Sequence, residues 1–214
     1  MDAREVFIPA GHPNRPGTKL EALRAIVIHY TANSNPSATA EMNAKYFGRK
    51  WVKDAKNNPM EADGKTAFAY GSAQVVADEN EVVFALPPDE TAWACGDSRI
   101  KLPNGTMGQQ PLAKKVFQNR QNHFITSIEI CNNGNWDAAV ANAKQWTIDY
   151  LREKGVKVDL AKSLDPQNDQ NPELGSVLIV RHFDITGKAC PKPFIDDGEA
   201  WKNFVTDVAT SVNT

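Results

Sequence analysis

Ala25-Ile26-Val27-Ile28-His29-Tyr30 is the stretch that decides the fold. Four apolar residues, three of them β-branched, run straight into a histidine. A short continuous apolar run of this kind reads as a buried strand in the middle of a sheet. His29 then stands at its polar end. A second run has the same form, because Val177-Leu178-Ile179-Val180 leads into Arg181-His182. A third run differs. Ser127-Ile128-Glu129-Ile130-Cys131 alternates, so Ser127, Glu129 and Cys131 share one face while Ile128 and Ile130 take the other.

Helical and turn signals fill the spaces between these strands. After Asn33-Ser34-Asn35-Pro36, where Asn or Ser can cap and Pro suits a first turn, Ala40, Ala44 and Phe47 repeat at helical spacing. Gln74-Val75-Val76-Ala77 and Glu81-Val82-Val83-Phe84-Ala85-Leu86 flank the polar turn Asp78-Glu79-Asn80 and predict a hairpin. Ala139, Ala143, Trp146, Tyr150 and Leu151 predict a helix that stops near Gly155. Trp201, Phe204, Val205 and Val208 line one face of a closing helix. Residues 7–17, rich in Pro and Gly, read as an irregular surface arm. Residues 165–172 read as a polar loop. The expected fold is therefore α/β: one domain over residues 1–214, a central mixed β-sheet covered by helices, with chemistry at the strand ends.

Composition narrows the function classes. The 214 residues are 41% hydrophobic, enough for one sizeable core, and carry a net charge of -2. No basic nucleic-acid footprint is present. No apolar run approaches the roughly 20 residues of a spanning helix, so no membrane insertion is expected. Met1-Asp2-Ala3-Arg4-Glu5 lacks the basic and apolar regions of a secretory signal, and cytoplasmic synthesis is expected. Three cysteines, Cys95, Cys131 and Cys190, argue against a disulfide framework. Each is a buried thiol or a metal ligand.

Two imidazoles at strand ends and one cysteine eight residues after His182 suit a catalytic zinc, which takes three protein ligands and keeps a fourth position open. Neighbouring strand ends lie roughly 5 Å apart, so such side chains can converge on one ion. As bare spacing the trio is weak: a histidine at a strand end is more often a hydrogen-bonded polar residue than a ligand.

Longer strings sharpen this. Ile26-Val27-Ile28-His29-Tyr30-Thr31-Ala32-Asn33 and Arg181-His182-Phe183-Asp184-Ile185-Thr186-Gly187-Lys188-Ala189-Cys190-Pro191 resemble the two metal motifs of the type-2 zinc N-acetylmuramoyl-L-alanine amidases. That family includes phage endolysins, Bacillus-type autolysins and the related peptidoglycan recognition proteins. The hairpin at residues 72–82 is similar to the family's central hairpin. Ala92-Trp93-Ala94-Cys95-Gly96-Asp97 is similar to its Trp-His-x-Gly-Asp loop, and Ser127-Ile128-Glu129-Ile130-Cys131 to the strand carrying its catalytic glutamate. The resemblance covers about residues 7–205.

The resemblance implies roles. His29, His182 and Cys190 would bind Zn2+; Glu129 would be general base and acid; Lys188 would stabilise the oxyanion. The substrate would be bacterial peptidoglycan, cut between N-acetylmuramic acid and L-alanine. The chemistry agrees, because zinc acidifies water and polarises a carbonyl while a facing carboxylate moves the proton. Tyr30, Thr31, Trp93 and Trp136 are candidate substrate-binding residues, with core or rim packing the competing role for the tryptophans. Ala94 and Gln74 stand where many relatives carry histidine, and are expected to alter the groove floor or the second layer of contacts. Ala73 stands where some phage members carry a catalytic tyrosine, whose role would pass to Glu129. A monomer without a separate wall-binding domain is expected, reaching the wall by phage-type release or a non-classical route. The competing readings are a muropeptide-binding module without catalysis and a zinc peptidase acting within the stem peptide.

Overall fold

Along the chain the strands are β1 (Arg4–Glu5), β2 (Ala25–Tyr30), β3 (Trp51–Lys53), β4 (Pro59–Glu61), β5 (Val75–Ala77), β6 (Val82–Phe84), β7 (Arg99–Lys101), β8 (Met107–Gln109), β9 (Ile125–Ile130), β10 (Lys157–Val158) and β11 (Ser176–Arg181). The helices are α1 (Ala40–Phe47), α2 (Pro111–Lys115), α3 (Trp136–Lys154), α4 (Leu160–Leu164), α5 (His182–Thr186), α6 (Lys192–Asp196) and α7 (Gly198–Asn213). The structure is a computed structural model that describes residues 3–96, 99–101, 107–109, 111–166 and 172–214.

Seven strands form one sheet in the order β1-β6-β5-β9-β2-β11-β10. All neighbours are parallel except the β5–β6 hairpin, so the sheet is mixed, as the sequence implied. The three runs read as strands lie side by side at its centre, β2 between β9 and β11. Two small hairpins, β3–β4 and β7–β8, stand outside the sheet.

Alternation along these strands feeds two different faces. Ile26, Ile28, Ile128, Ile130, Val177 and Ile179 pack under α3 and α7, against Ala139, Ala143, Trp146, Leu151, Phe204, Val205 and Val208. On the other face Ala25, Val27, Ile125, Leu178 and Val180 meet Leu112, Ala113, Phe117 and Ile185. Farther along that face Val76 and Val83 meet Ile8, Ala40, Ala44 and Leu86. Each fully buried Val, Leu or Ile contributes roughly 1.5–3 kcal/mol.

Local chemistry sets the helix ends. The Asn135 side chain accepts from the Ala138 N–H and starts α3. Gly155 ends it in the left-handed region at φ 64°, where a Cβ would be strained. The first helix begins later than its Asn and Pro signals suggest. Asn33 and Asn35 turn their carbonyls onto the N–H groups of Asn35 and Ser37, which builds tight turns rather than a helix start. Thr39 is the cap, and the buried Asp78 carboxylate takes the Ala40 N–H at 2.8 Å. One wall of the later groove is thereby tied to the hairpin.

The arm at residues 7–17 is irregular and runs along the surface, as expected, but three of its residues anchor it in the interior. Ile8, His12 and Asn14 are buried. Asn14 donates to the Phe47 carbonyl and accepts from the Gly71 N–H, while His12 meets the Arg49 carbonyl. Residues 167–171 of the expected polar loop, and Asp97 of the Trp-Ala-Cys-Gly-Asp loop, lie outside the described residues. Among those described, no helix is long and apolar enough to cross a membrane.

Candidate metal centre

Register places the site. In the parallel β2–β9 pair, His29 stands directly opposite Glu129. On the other side Arg181 of β11 stands opposite Ile28, so His182, one residue on, arrives beside His29. There the strand turns at once into α5. Asp184 caps that helix by accepting from the Arg181 N–H at 2.8 Å. Gly187, left-handed at φ 77°, ends it after five residues. The following loop folds back, and the Phe183 N–H donates to the Cys190 carbonyl at 2.8 Å. Cys190 therefore returns to the start of the helix that His182 opens.

The three donors sequence reading selected come together. Ligand atoms of His29, His182 and Cys190 all lie within 4.8 Å of one another, and all three residues are buried. The Cys190 Sγ is 3.9 Å from His29 Nδ1, and the two imidazole centroids are 4.5 Å apart. His29 Nδ1 also lies 4.0 Å from Glu129 Oε1. This is not an ion pair, because burial, then His182 and Lys188, hold His29 well below the usual imidazole range and leave it neutral. Burial and Lys188 likewise lower His182 to about 4.

These properties suit a metal. Both rings keep a lone pair available, and His182 Nδ1 is buried with no hydrogen-bond partner among the described residues. Burial first, and Glu129 second, push the Cys190 thiol up to about 12, while a backbone hydrogen bond from Tyr30 opposes them. Metal binding would displace that proton. Glu129 matters for a different reason. Burial raises its carboxyl to about 7, with Lys188 opposing, and its Oε2 is buried without a hydrogen-bond partner among the described residues. A carboxyl poised near neutrality can both take and return a proton.

An open groove of about 1060 Å³ gives access. His29, Glu129 and His182 reach it from the sheet side, with Thr186, Gly187 and Lys188 from the α5 turn and Phe47, Tyr70, Trp93 and Asn122 around it. Lys188 is exposed there. A second basin of about 540 Å³ shares Phe47 and Glu129 with the first and includes Thr31, Asn43 and Tyr46.

The four candidate substrate residues divide. Trp93 lines the main groove, its indole N–H held by the Pro13 carbonyl at 3.0 Å, with Tyr70 edge-on. Thr31 lines the second basin. Tyr30 meets the site through its backbone, and its ring lines neither basin. Trp136 belongs to the other side of the sheet, where it packs edge-on against Phe194 at 5.7 Å beside the α3–α7 core. It opens an amphipathic helix whose apolar stripe faces inward, so packing wins over sugar contact.

The two expected histidine positions divide as well. Ala94 lines the groove. Gln74 does not. It is fully buried, accepting from the Ser127 N–H and Oγ and donating to the Glu90 and Ile125 carbonyls. Ala73 is buried beside it. Reading by motif missed Tyr70, in an irregular segment, and Asn122, in the short 3-10 turn Gln121–His123, both too short for a periodic signal.

The chain is similar to known proteins. Residues 19–193 match the model of the family described as N-acetylmuramoyl-L-alanine amidase. The chain is 26% identical over 209 residues to N-acetylmuramoyl-L-alanine amidase BlyA of Bacillus subtilis (strain 168), covering 97% of this chain and 47% of that protein. It is 28% identical over 208 residues to CwlH of the same organism, covering 96% of this chain and 60% of that one. The chain thus spans about half the length of the curated relatives it matches. A mutant endolysin from Bacillus subtilis superposes with a TM-score of 0.62 at 25% identity, over 96% of this chain and 99% of that one. The catalytic domain of XlyA gives 0.63 at 24% identity, over 96% and 99%, and shares the fold. With the converging donors, the facing carboxyl and a family match over residues 19–193 that includes His29, His182 and Cys190, the chain belongs to the N-acetylmuramoyl-L-alanine amidase family.

Proposed function

We propose that this chain is a zinc-dependent peptidoglycan hydrolase that cleaves the amide between N-acetylmuramic acid and L-alanine. The observation that carries this reading is the convergence of His29, His182 and Cys190 within 4.8 Å, with Glu129 4.0 Å from His29 at the same groove. Those three side chains would hold the ion, which when bound supplies Lewis-acid polarisation and a more acidic water.

The remaining work falls to the chain's own groups. Glu129 takes a proton from the attacking water and delivers it to the departing alanine nitrogen, a role suited to a carboxyl near 7. Lys188, exposed in the groove, offers its ammonium to the oxygen that gains charge as the carbonyl becomes tetrahedral. One such donor is typically worth roughly 3–4 kcal/mol of barrier. Trp93 and Tyr70 offer aromatic surface to the glycan. A complete donor set beside a perturbed carboxyl favours catalysis over mere binding of muropeptide.

The test is mass spectrometry of purified sacculi digested with and without EDTA. The expected products are stem peptides with a newly free L-alanine amino terminus, formed only without chelator. New termini on other residues, or reducing sugars alone, would overturn the assignment.

A further inference from the structure

His29 has two ring nitrogens, and only one faces the other donors. Nδ1 lies toward Cys190 and Glu129. On the opposite side of the ring, Nε2 lies 3.9 Å from the sulfur of Cys95. Both residues are buried, His29 at 2% exposure and Cys95 at 1%, so water does not serve Nε2 freely. The sulfur is itself held in place. The Cys95 N–H donates to Asn122 Oδ1 at 2.9 Å. The Gln121 amide donates to the Cys95 and Gly96 carbonyls.

An imidazole that ligates through Nδ1 must carry its proton on Nε2, and that N–H needs an acceptor when buried. Cysteine sulfur is a weak but competent acceptor. Resting on His29 as a metal ligand, we infer that Cys95 is a positioning residue: its sulfur takes the Nε2–H of His29, fixing the tautomer and ring orientation that aim Nδ1 at the ion. Cys95 is not a fourth ligand, since it faces the nitrogen turned away from the donor set. The free thiol of Cys95 thus has a task distinct from that of Cys190.

Two measurements test this. The first is zinc affinity by chelator competition for the parent, Cys95→Ala and Cys95→Val; both remove the acceptor, alanine being smaller than cysteine and valine larger, so the two bracket its volume. Loss of such an outer partner typically weakens binding roughly 10–100-fold. Both variants are expected to show this while keeping the parent's fold by circular dichroism in the metal-free state. The second uses the unaltered protein: the 15N chemical shifts of the zinc-loaded His29 ring are expected to show a proton on Nε2, coupled to a buried, slowly exchanging signal. Unchanged zinc affinity in a folded Cys95→Val protein overturns the role of Cys95 alone. A zinc-loaded His29 protonated at Nδ1 does the same. A parent protein that binds no zinc overturns the metal reading first, and this one with it.

Discussion

The two faces of the central sheet are made by the same strands and do opposite things. Beneath α3 and α7, residues such as Ile28, Ile130 and Ile179 meet a continuous apolar layer. On the other face the neighbouring positions carry Val27, then His29, and Ser127, then Glu129. Helices of 19 and 16 residues seal the first face. On the second face stand α1, α2 and α5, of eight, five and five residues, and of these α1 and α5 border the groove at the open strand ends. The difference teaches how one set of strands yields both stability and a site. Alternation sends every second side chain to the core beneath α3 and α7 and the rest to a second apolar layer, which gives way to His29 and Glu129 only toward the strand ends.

The largest break in that comparison is His29→Ala. It should abolish both bound zinc, read by atomic absorption, and turnover, while the fold persists by circular dichroism. Its neighbour across the strand pair separates chemistry from binding. Glu129→Ala should keep zinc and lose roughly 10²–10⁴-fold in turnover, as for other general acid–base groups. Full activity in that variant would remove Glu129 from the mechanism. On the sealed face the expectation reverses. Leu151→Ala should cost about 2–5 kcal/mol in denaturant unfolding and leave zinc affinity of the folded protein unchanged. The smallest effect sharpens the tryptophan assignment. Trp93→Ala should weaken substrate binding by about 0.5–1.5 kcal/mol through KM, whereas Trp136→Ala should lower the melting temperature and leave KM alone. Equal KM effects from both would put Trp136 back at the groove.

Much of the site was legible because strand periodicity and donor chemistry are local. Ala25-Ile26-Val27-Ile28 could only be a buried run, and Glu129 between Ile128 and Ile130 marked a polar group on an otherwise apolar strand. Gly155 announced the end of α3 correctly because a left-handed cap is a property of one residue. The irregular parts were less legible. Nothing periodic announces that Ile8 and Asn14 are buried, since the partners that hold Asn14, Phe47 and Gly71, lie 33 and 57 residues away. Gln74 shows the same effect. Its position in a motif suggested the groove floor or the layer behind it, and four hydrogen bonds to distant backbone and side-chain groups place it in the buried layer.

By itself the sequence determined the central strands and the long helices, which side chains share a face, and which residues own metal-binding atoms. Tertiary structure alone decided that His29 stands opposite Glu129, that Cys190 comes within 3.9 Å of an imidazole 161 residues earlier, and that Cys95 lies behind the same ring. Periodicity and side-chain chemistry belong to consecutive residues, whereas distance across the sheet is set by strand order and register, which only the packing of the whole chain fixes.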